Sequence, residues 1–387
     1  MTSDERATDQ SGPSQSEGIG VEKTPVRTRP LAEAWRDAWL EGPDVITALR
    51  VFDDDVELEL PSKGTFTLGA SRRCDLSVRG RDLSATHLLL ERIDHRLRVY
   101  DLRSSNGTFF GGRRAEVFEI YPGDTFTAAP VTFLALNNEM RAHRPAIAGI
   151  LGAGSAPSPD TLLVEAATCS SHLLITGDPG SDLDRLARAI HAVSLRRSRS
   201  LVEMGAVPPD RAQQREIVKR AERSTLVIEL DPVAPPLDPT FCSMVFSADH
   251  HIRVIALAPT LKLARRLLPA EHLERIHPIW VRPLVARPGD IPGLLDQLLE
   301  QRGVSLRIAD LTVRNRDALA ACEWRDNFIG LRAAAERLAA IAQVRGWEAM
   351  DWRERATATS IPRSTLHDWF TALGLTLPLF TREPSCG

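Results

Sequence analysis

The spacing of apolar residues changes twice along this chain, and those two changes limit its fold more than any other feature. From 45 to 137 the sequence runs in short strand-like segments, "TALRVF", "VELEL", "TFTLG", "HLLLERI", "RLRVYDL" and "TFTAAPVTFLAL", separated by turn residues. Several short strands packed so closely predict a β-sandwich. From 161 to 300 the apolar runs "HLLIT", "STLVIEL" and "IRVIALA" alternate with helical patterns, the order expected of a parallel α/β sheet. From 301 onward the pattern is helical, with Ala/Leu/Arg periodicity from 329 to 344. The stretch "PAIAGILGAGSAPSP" at 145–159 is uncharged and rich in Gly, Pro and Ala, and reads as a linker. The expected fold class is therefore multidomain: an all-β sandwich over 31–143, an α/β domain over 144–300, a helical segment over 301–346 and an all-α end over 347–387.

Composition narrows the function classes. The 387 residues allow two to four domains, each long enough for its own core. A net charge of −3 gives no global basic field to draw the chain onto nucleic acid. Lys appears only at 23, 63, 219 and 262, so the cations are almost all Arg. Cys74, Cys169, Cys242, Cys322 and Cys386 are scattered, odd in number and free of CxxC spacing, which fits a reduced, cytoplasmic chain without a metal site. No apolar run is long enough for a membrane span, and the N-terminus lacks a signal-peptide core. Residues 1–30 are polar and read as a disordered tail; Leu31, Trp35, Trp39 and Leu40 in "LAEAWRDAWL" fall at helical spacing.

Within the sandwich, Gly69, Ser84, His87, Asp101, Ser105, Asn106, Gly107 and Thr108 form the order "S-x-x-H" followed by "D-L-x-S-x-N-G-T". A phosphate dianion is best held by charge-assisted donors, most often Arg, with hydroxyls and amides on rigid turns, and Ser84, Ser105 and Asn106 are such donors. Over about 90 residues this region resembles the forkhead-associated (FHA) domain, a β-sandwich whose loops bind phosphothreonine peptides. The resemblance implies that Ser84 and Ser105 hold phosphate, that Asn106 holds the peptide backbone, and that His87 and Gly107 are structural. The family carries an arginine directly after the first glycine; here that position is Ala70. Arg72 and Arg73 follow closely and are the candidates to replace it; the alternative is a sandwich kept for docking after phosphate binding was lost. Thr24 in "KTPV" is a candidate phosphosite read in cis, against the plainer reading of an unmodified tail.

The segment "GDPGSDLDRLARAIH" at 177–191 follows the apolar run "LLIT" and leads into a helical pattern, the setting of a phosphate-binding loop. A working GxxxxGK[ST] loop cradles phosphates with its amides, neutralises them with Lys and holds Mg²⁺ with the hydroxyl. In that register Gly177 and Gly180 are kept, but Asp182 replaces the second Gly, Leu183 the Lys and Asp184 the Ser/Thr. Each like charge beside a polyphosphate costs about 1 kcal/mol in water and about 4 near a protein surface at 4 Å. The competing reading is that Asp182 and Asp184 recruit a bridging metal.

With "STLVIELD", "IRVIALAP" and "VRPLVARPGDIPGLLDQLL", the region from about 160 to 345 resembles the central AAA+ domain of bacterial enhancer-binding proteins, the activators of sigma-54 RNA polymerase. The resemblance places the Walker B pair at Glu229 and Leu230, so a carboxylate that could hold Mg²⁺ remains and the one that activates water is lost. The sensor asparagine falls at Pro259, and the two arginine-finger positions at Pro269 and Arg275. The lid motif "W-P-G-N-V-R-E-L" becomes "WRDNFIGL" at 324–331, with Ile329 at the sensor arginine. Between "SLVEM" and "STLVIEL" there is no "GAFTGA"-like loop to touch sigma-54. The expectation is a degenerate scaffold, not an enzyme, with no ATP or Mg²⁺ cofactor. Its vestigial site comprises Gly177, Gly180, Asp182, Leu183, Asp184, Glu229 and Arg275.

The end of the chain, "WRERATATSIPRSTLHDWFTALGLTLP" at 352–378, places helical segments around a turn near Ser360–Pro362, with Pro362 suited to a first helical turn. It resembles the Fis-type helix-turn-helix of the same activators, which makes Arg363, Ser364, Thr365 and His367 the candidate DNA-binding residues. Asp368, Trp369 and Thr371 stand where basic residues are common, and between 351 and 387 four Arg balance four acidic residues. DNA affinity is set largely by phosphate neutralisation, so binding by a monomer is expected to be weak. The alternative is a bundle used only for packing or dimerisation, with Trp369 and Phe370 in its core. The partners expected are a phosphothreonine protein and DNA, with no membrane and with homo-oligomerisation left open. A phosphoprotein-binding adaptor that never touches DNA is the second functional reading, and a working ATPase the third.

Overall fold

The computed structural model describes residues 44–79 and 81–381, so the expected tail, the helix at 31–40 and Thr24 lie outside the described residues. The first unit contains β1 (Ala48–Val51), β2 (Glu57–Glu59), β3 (Thr65–Gly69), β4 (Leu76–Ser77), β5 (Leu88–Ile93) and β6 (Arg96–Asp101). It continues with β7 (Thr108–Phe110), β8 (Arg113–Arg114), β9 (Val117–Ile120), β10 (Thr125–Ala128) and β11 (Val131–Leu136). They form two sheets, in the orders β2-β1-β11-β10-β7-β8 and β4-β3-β5-β6-β9. Alternate residues such as Phe66, Leu68, Leu88, Leu90, Leu97, Val99, Phe126 and Phe133 fill the space between them, as the period of two requires. The single run "TFTAAPVTFLAL" is a hairpin of two strands, β10 and β11, turning at Ala129–Pro130.

The expected linker at 145–159 is helical over 145–151, and only residues 152–158 connect two helices. Residues 138–151 form helix α1 (Asn138–Leu151), which contains Pro145. Asn137 caps it, its side-chain oxygen accepting from the Met140 N–H at 2.7 Å. The apolar face of α1, Met140, Ile147, Ile150 and Leu151, is buried, and that burial outweighs the poor helix propensity of its Gly and Pro. Chain direction then reverses through Gly152 into α2 (Pro159–Thr168).

These two helices weld the sandwich to the next unit. Ala48, Leu134 and Leu136 of the sandwich share one apolar cluster with α1, α2 and the α/β sheet. Asp160 is fully buried and accepts from Arg50 Nε at 3.1 Å, Arg144 Nε at 2.6 Å and the Asp53 N–H at 2.8 Å. Asp44 pairs with Arg197 at 2.8 Å. A buried carboxylate with two guanidiniums and an amide is fully satisfied, and removing any one partner would be costly.

The α/β unit has a five-stranded sheet of β12 (His172–Thr176), β13 (Val202–Met204), β14 (Thr225–Glu229), β15 (Arg253–Ala258) and β16 (Ile276–Trp280), ordered β13-β14-β15-β12-β16. Every pairing is parallel. The central strands β12, β14 and β15 are continuous apolar runs, as a sheet covered on both faces demands. Pro278 sits in β16, an edge strand, where a missing N–H is tolerated. Helices α3 (Leu183–Val193), α4 (Arg211–Ala221), α5 (Pro239–Val245), α6 (Leu261–Leu267) and α7 (Ala270–Leu273) connect the strands. Three helices follow, α8 (Ile291–Glu300), α9 (Val313–Ala321) and α10 (Asn327–Ala342), the last two within the segment 301–346 that the resemblance reads as a lid.

The chain closes with α11 (Trp352–Thr359) and α12 (Arg363–Ala372). The boundary drawn at 346/347 runs through one continuous core: Trp347, Leu366, Trp369, Phe370, Leu379 and Phe380 pack in the same cluster as the lid. Asn315 of α9 donates to the carbonyls of Thr376, Pro378 and Leu379 at 3.0–3.1 Å, strapping the end of the chain to the lid. Among the described residues no helix is long and apolar enough to cross a membrane.

One half-buried histidine, His172, is expected to make the stability of the fold depend on pH. His172 opens β12; its Nδ1 accepts from the Val254 N–H at 3.0 Å and its ring packs edge-on against Phe246. Burial, and then Arg253, Arg196 and His272, push its pKa down to about 4. The unfolded chain takes up this proton near pH 6.5, the folded chain only near 4. Stability is therefore full above about 6.5 and falls by roughly 3 kcal/mol as pH drops towards 4. Thermal midpoints measured across this range are expected to decline with falling pH. His172→Asn, which keeps an acceptor for Val254, is expected to flatten that part of the slope.

Candidate functional site

Two turns build the exposed edge of the sandwich. Gly69 lies so close to the next loop that a Cβ there would come within 2.4 Å of the Ala85 carbonyl oxygen. That contact lets the N–H groups of Ala70 and Ser71 donate to the carbonyls of Ser84 and Ala85, both at 3.0 Å. Below Ser84, His87 is fully buried, and its Nδ1 accepts from the Ser84 N–H at 3.3 Å. Burial holds the His87 ring below its ordinary pKa despite the nearby Asp101. Asp101 pins the second turn, accepting from the Ser104 N–H at 2.8 Å, Ser104 Oγ at 2.6 Å and Thr108 Oγ1 at 2.5 Å. Burial alone would raise its carboxyl; these hydrogen bonds outweigh burial and hold it below the usual carboxylate range.

The consequence is convergence. Ser84 Oγ accepts from the Ser105 N–H at 3.1 Å, and Asn106 Nδ2 donates to the Asp82 carbonyl at 3.2 Å. Ser84, Ser105 and Asn106 thus form one patch, with Ser105 and Asn106 exposed. Arg72 and Arg73 ride on the exposed turn after Ser71, beside Ser84 in the backbone ladder, and neither makes an ion pair among the described residues. His87 and Gly107 are buried beneath this patch.

The second candidate site lies at the carboxyl end of the α/β sheet, where doubly wound folds bind ligands. The loop Gly177–Asp182 joins β12 to α3 as the sequence suggests. Asp182, in the position of the second glycine, keeps a left-handed backbone with φ 57°, which Asp tolerates better than most residues. Its carboxylate is nearly buried and grips both Nη atoms of Arg332 on α10, one of them at 2.9 Å. Arg185 adds a longer contact at 3.8 Å. The lid lies on the rest of the loop. The Phe328 N–H donates to the Gly180 carbonyl at 3.0 Å, and Asn327 Nδ2 donates to the Pro179 carbonyl at 3.0 Å. Asn327 Oδ1 accepts from the Leu284 N–H at 3.0 Å. A Cβ on Gly180 would meet the Asp326 carbonyl oxygen at 2.4 Å.

The charges of this loop are taken up by the protein's own residues. The anion at the start of α3 is already supplied by Asp182, and its countercharge by Arg332. Leu183 packs into the apolar core instead of presenting a cation. Asp184 points to the outer face of α3 and pairs with Arg188 at 2.9 Å. Asp182 and Asp184 are thus each paired with an arginine, and no cluster of three His, Cys, Asp or Glu side chains occurs among the described residues. Glu229 is exposed at the end of β14, while Leu230 is buried in the second apolar cluster. Pro259 ends β15, Pro269 precedes α7 and Arg275 is exposed after it. Ile329 is exposed and sits over Gly180. Sequence reasoning missed Arg332 and Asn327. For Arg332 the only signal was its place one turn after Ile329, on the same helical face.

At the C-terminus, Ser360 turns the chain with φ 57° and Pro362 stands immediately before α12. Arg363, Ser364, Thr365 and His367 are exposed, while Leu366, Trp369 and Phe370 are buried. His367 leans edge-on against Trp352 at 5.5 Å. Arg355 is buried between Trp347 and Trp352, 5.2 Å from each ring centre.

Residues 66–128 match the family model of the FHA domain. Among solved structures, NtrX from Brucella abortus bound to ADP aligns at 20% identity over 56% of this chain and 66% of its own, with a TM-score of 0.39. The chain thus spans just under two thirds of that protein. The FHA domain of the CT664 protein from Chlamydia trachomatis aligns at 21% identity over 23% of this chain and 95% of its own, with a TM-score of 0.22. Mycobacterium tuberculosis EmbR, in complex with a low-affinity phosphopeptide, aligns at 18% identity over 24% of each chain, also with a TM-score of 0.22. A search of curated proteins finds no match.

Proposed function

We propose that this chain is a bacterial transcriptional regulator that docks on phosphothreonine proteins through its FHA domain. An AAA+-like scaffold that neither binds nor hydrolyses ATP would carry the signal to a C-terminal DNA-binding helix pair. The observation that carries the first part is the convergence of Ser84, Ser105 and Asn106 on one exposed edge. That which carries the second is the loop–lid contact through Asp182 and Arg332. The candidate DNA contacts are Arg363, Ser364, Thr365 and His367, all exposed at the start of α12. The test is binding of the full chain to phosphothreonine peptides: Ser84→Ala and Asn106→Ala are each expected to weaken it about tenfold or more. Equal binding by wild type and both variants would refute phosphothreonine docking.

A phosphoprotein adaptor that never touches DNA is the second reading. It is favoured by the shared core of α12 and the lid, and by Asp368 on the exposed face of α12. A mobility-shift titration with fragmented genomic DNA at low salt separates the two. Saturable binding lost in Arg363→Ala supports the regulator; no binding at any concentration supports the adaptor.

A further inference from the structure

The arginine that the FHA resemblance expects after Gly69 is replaced by Ala70, yet another guanidinium lies against Gly107, beside the patch. β7 and β8 are joined by Gly111 and Gly112, with φ 58° and 76°. Two positive φ values in a two-residue loop define the tight hairpin turn whose twist matches its strands. The turn fixes the register, pairing Phe109 with Arg114 and Phe110 with Arg113. Arg114 therefore stands at a set place, two residues along the sheet from Gly107. Its side chain lies across that glycine: a Cβ on Gly107 would come 2.7 Å from Nε, 3.0 Å from Cζ and 3.2 Å from Nη2. Gly107 is thus demanded twice, by its φ of 80° and by the guanidinium packed on it. It directly follows Asn106 and is two residues from Ser105. Arg114 is exposed, and no carboxylate among the described residues pairs with it. A planar guanidinium held against a rigid turn keeps its fork of donors free for an anion and loses little freedom on binding one.

We infer that Arg114 supplies the cation of the phosphothreonine site, in place of the arginine absent at Ala70. The inference rests on the phosphothreonine reading above. It names Arg114, and not Arg72 or Arg73, as the charged partner of the phosphate.

The experiment is fluorescence anisotropy of the full chain with a peptide library degenerate around a central phosphothreonine, and with the same library unphosphorylated. Arg114→Ala is expected to weaken binding of the phosphorylated library about tenfold or more and to leave the unphosphorylated background unchanged. Arg114→Lys, a point charge without the fork, is expected to keep part of the affinity. Ala70→Arg in the Arg114→Ala background is expected to restore it. The double variant Arg72→Ala with Arg73→Ala is expected to stay within about twofold of wild type. If Ser84→Ala abolishes binding while Arg114→Ala does not, the cation lies elsewhere and the inference is wrong. An equal loss with both libraries would also overturn it, since Arg114 would then only prop the turn. No dependence on Ser84 in any background would remove the phosphothreonine reading itself.

Discussion

Arg332→Ala is expected to lower the thermal midpoint of the chain by about 4–8 °C and to loosen the lid. Removing one partner of a buried ion pair costs about 3–5 kcal/mol, because the other charge is left without compensation. Asp182 is the buried partner, with a side chain 7% exposed, whereas that of Arg332 is 35% exposed. Solvent reaching the guanidinium discounts the cost to roughly 2 kcal/mol, and each kcal/mol moves the midpoint by about 2–4 °C for domains of this size. The asymmetry is itself a prediction. Asp182→Asn leaves its unpaired charge on the more exposed side, so it is expected to cost less than Arg332→Ala. Hydrogen exchange locates the effect: amides of 177–182 and 327–332 are expected to exchange faster in Arg332→Ala, while those of β5 and β6 in the sandwich stay unchanged. Equal exchange at both places would show that the pair does not hold the lid down.

The FHA edge was legible because its chemistry is local. Ser84 and His87 are three residues apart and Asp101 to Thr108 form one turn, so each turn could be read locally; that the two meet, Ser84 with Ser105 across 21 residues, was implied only by the family resemblance. The helix α1 was not legible. Its Gly, Pro and Ala content imitates a linker, and its stability comes from burying Ile147, Ile150 and Leu151 against residues far away in sequence. Strands β4, β7, β8 and β9 are only two to four residues long and leave no alternation to count. Pro278 hid β16, because a proline argues against a strand until the strand is known to lie at an edge. That Leu183 stands where a phosphate-binding loop carries lysine was plain, but the pairing of Asp182 was not: Arg332 meets it across 150 residues. Arg114 escaped notice for a related reason, since what it touches is the bare face of Gly107.

We propose that a built-in carboxylate and the lid stand where the resemblance would put a nucleotide, so that the scaffold holds its shape without ATP. Four observations argue for it. Asp182 and Arg332 satisfy each other. Gly180 is in direct contact with the Asp326 carbonyl. Asn327 ties the loop to the segment after β16. Leu230 buries an apolar side chain where the resemblance expects a second carboxylate. To enter, a triphosphate would have to break the ion pair and lift the lid, and it would then meet the Asp182 charge at the start of α3. The most direct measurement is isothermal titration calorimetry of the full chain with ATP and Mg²⁺. The expected result is no saturable heat up to about 1 mM nucleotide, an affinity no better than about 4 kcal/mol. Stoichiometric binding in the micromolar range would contradict it.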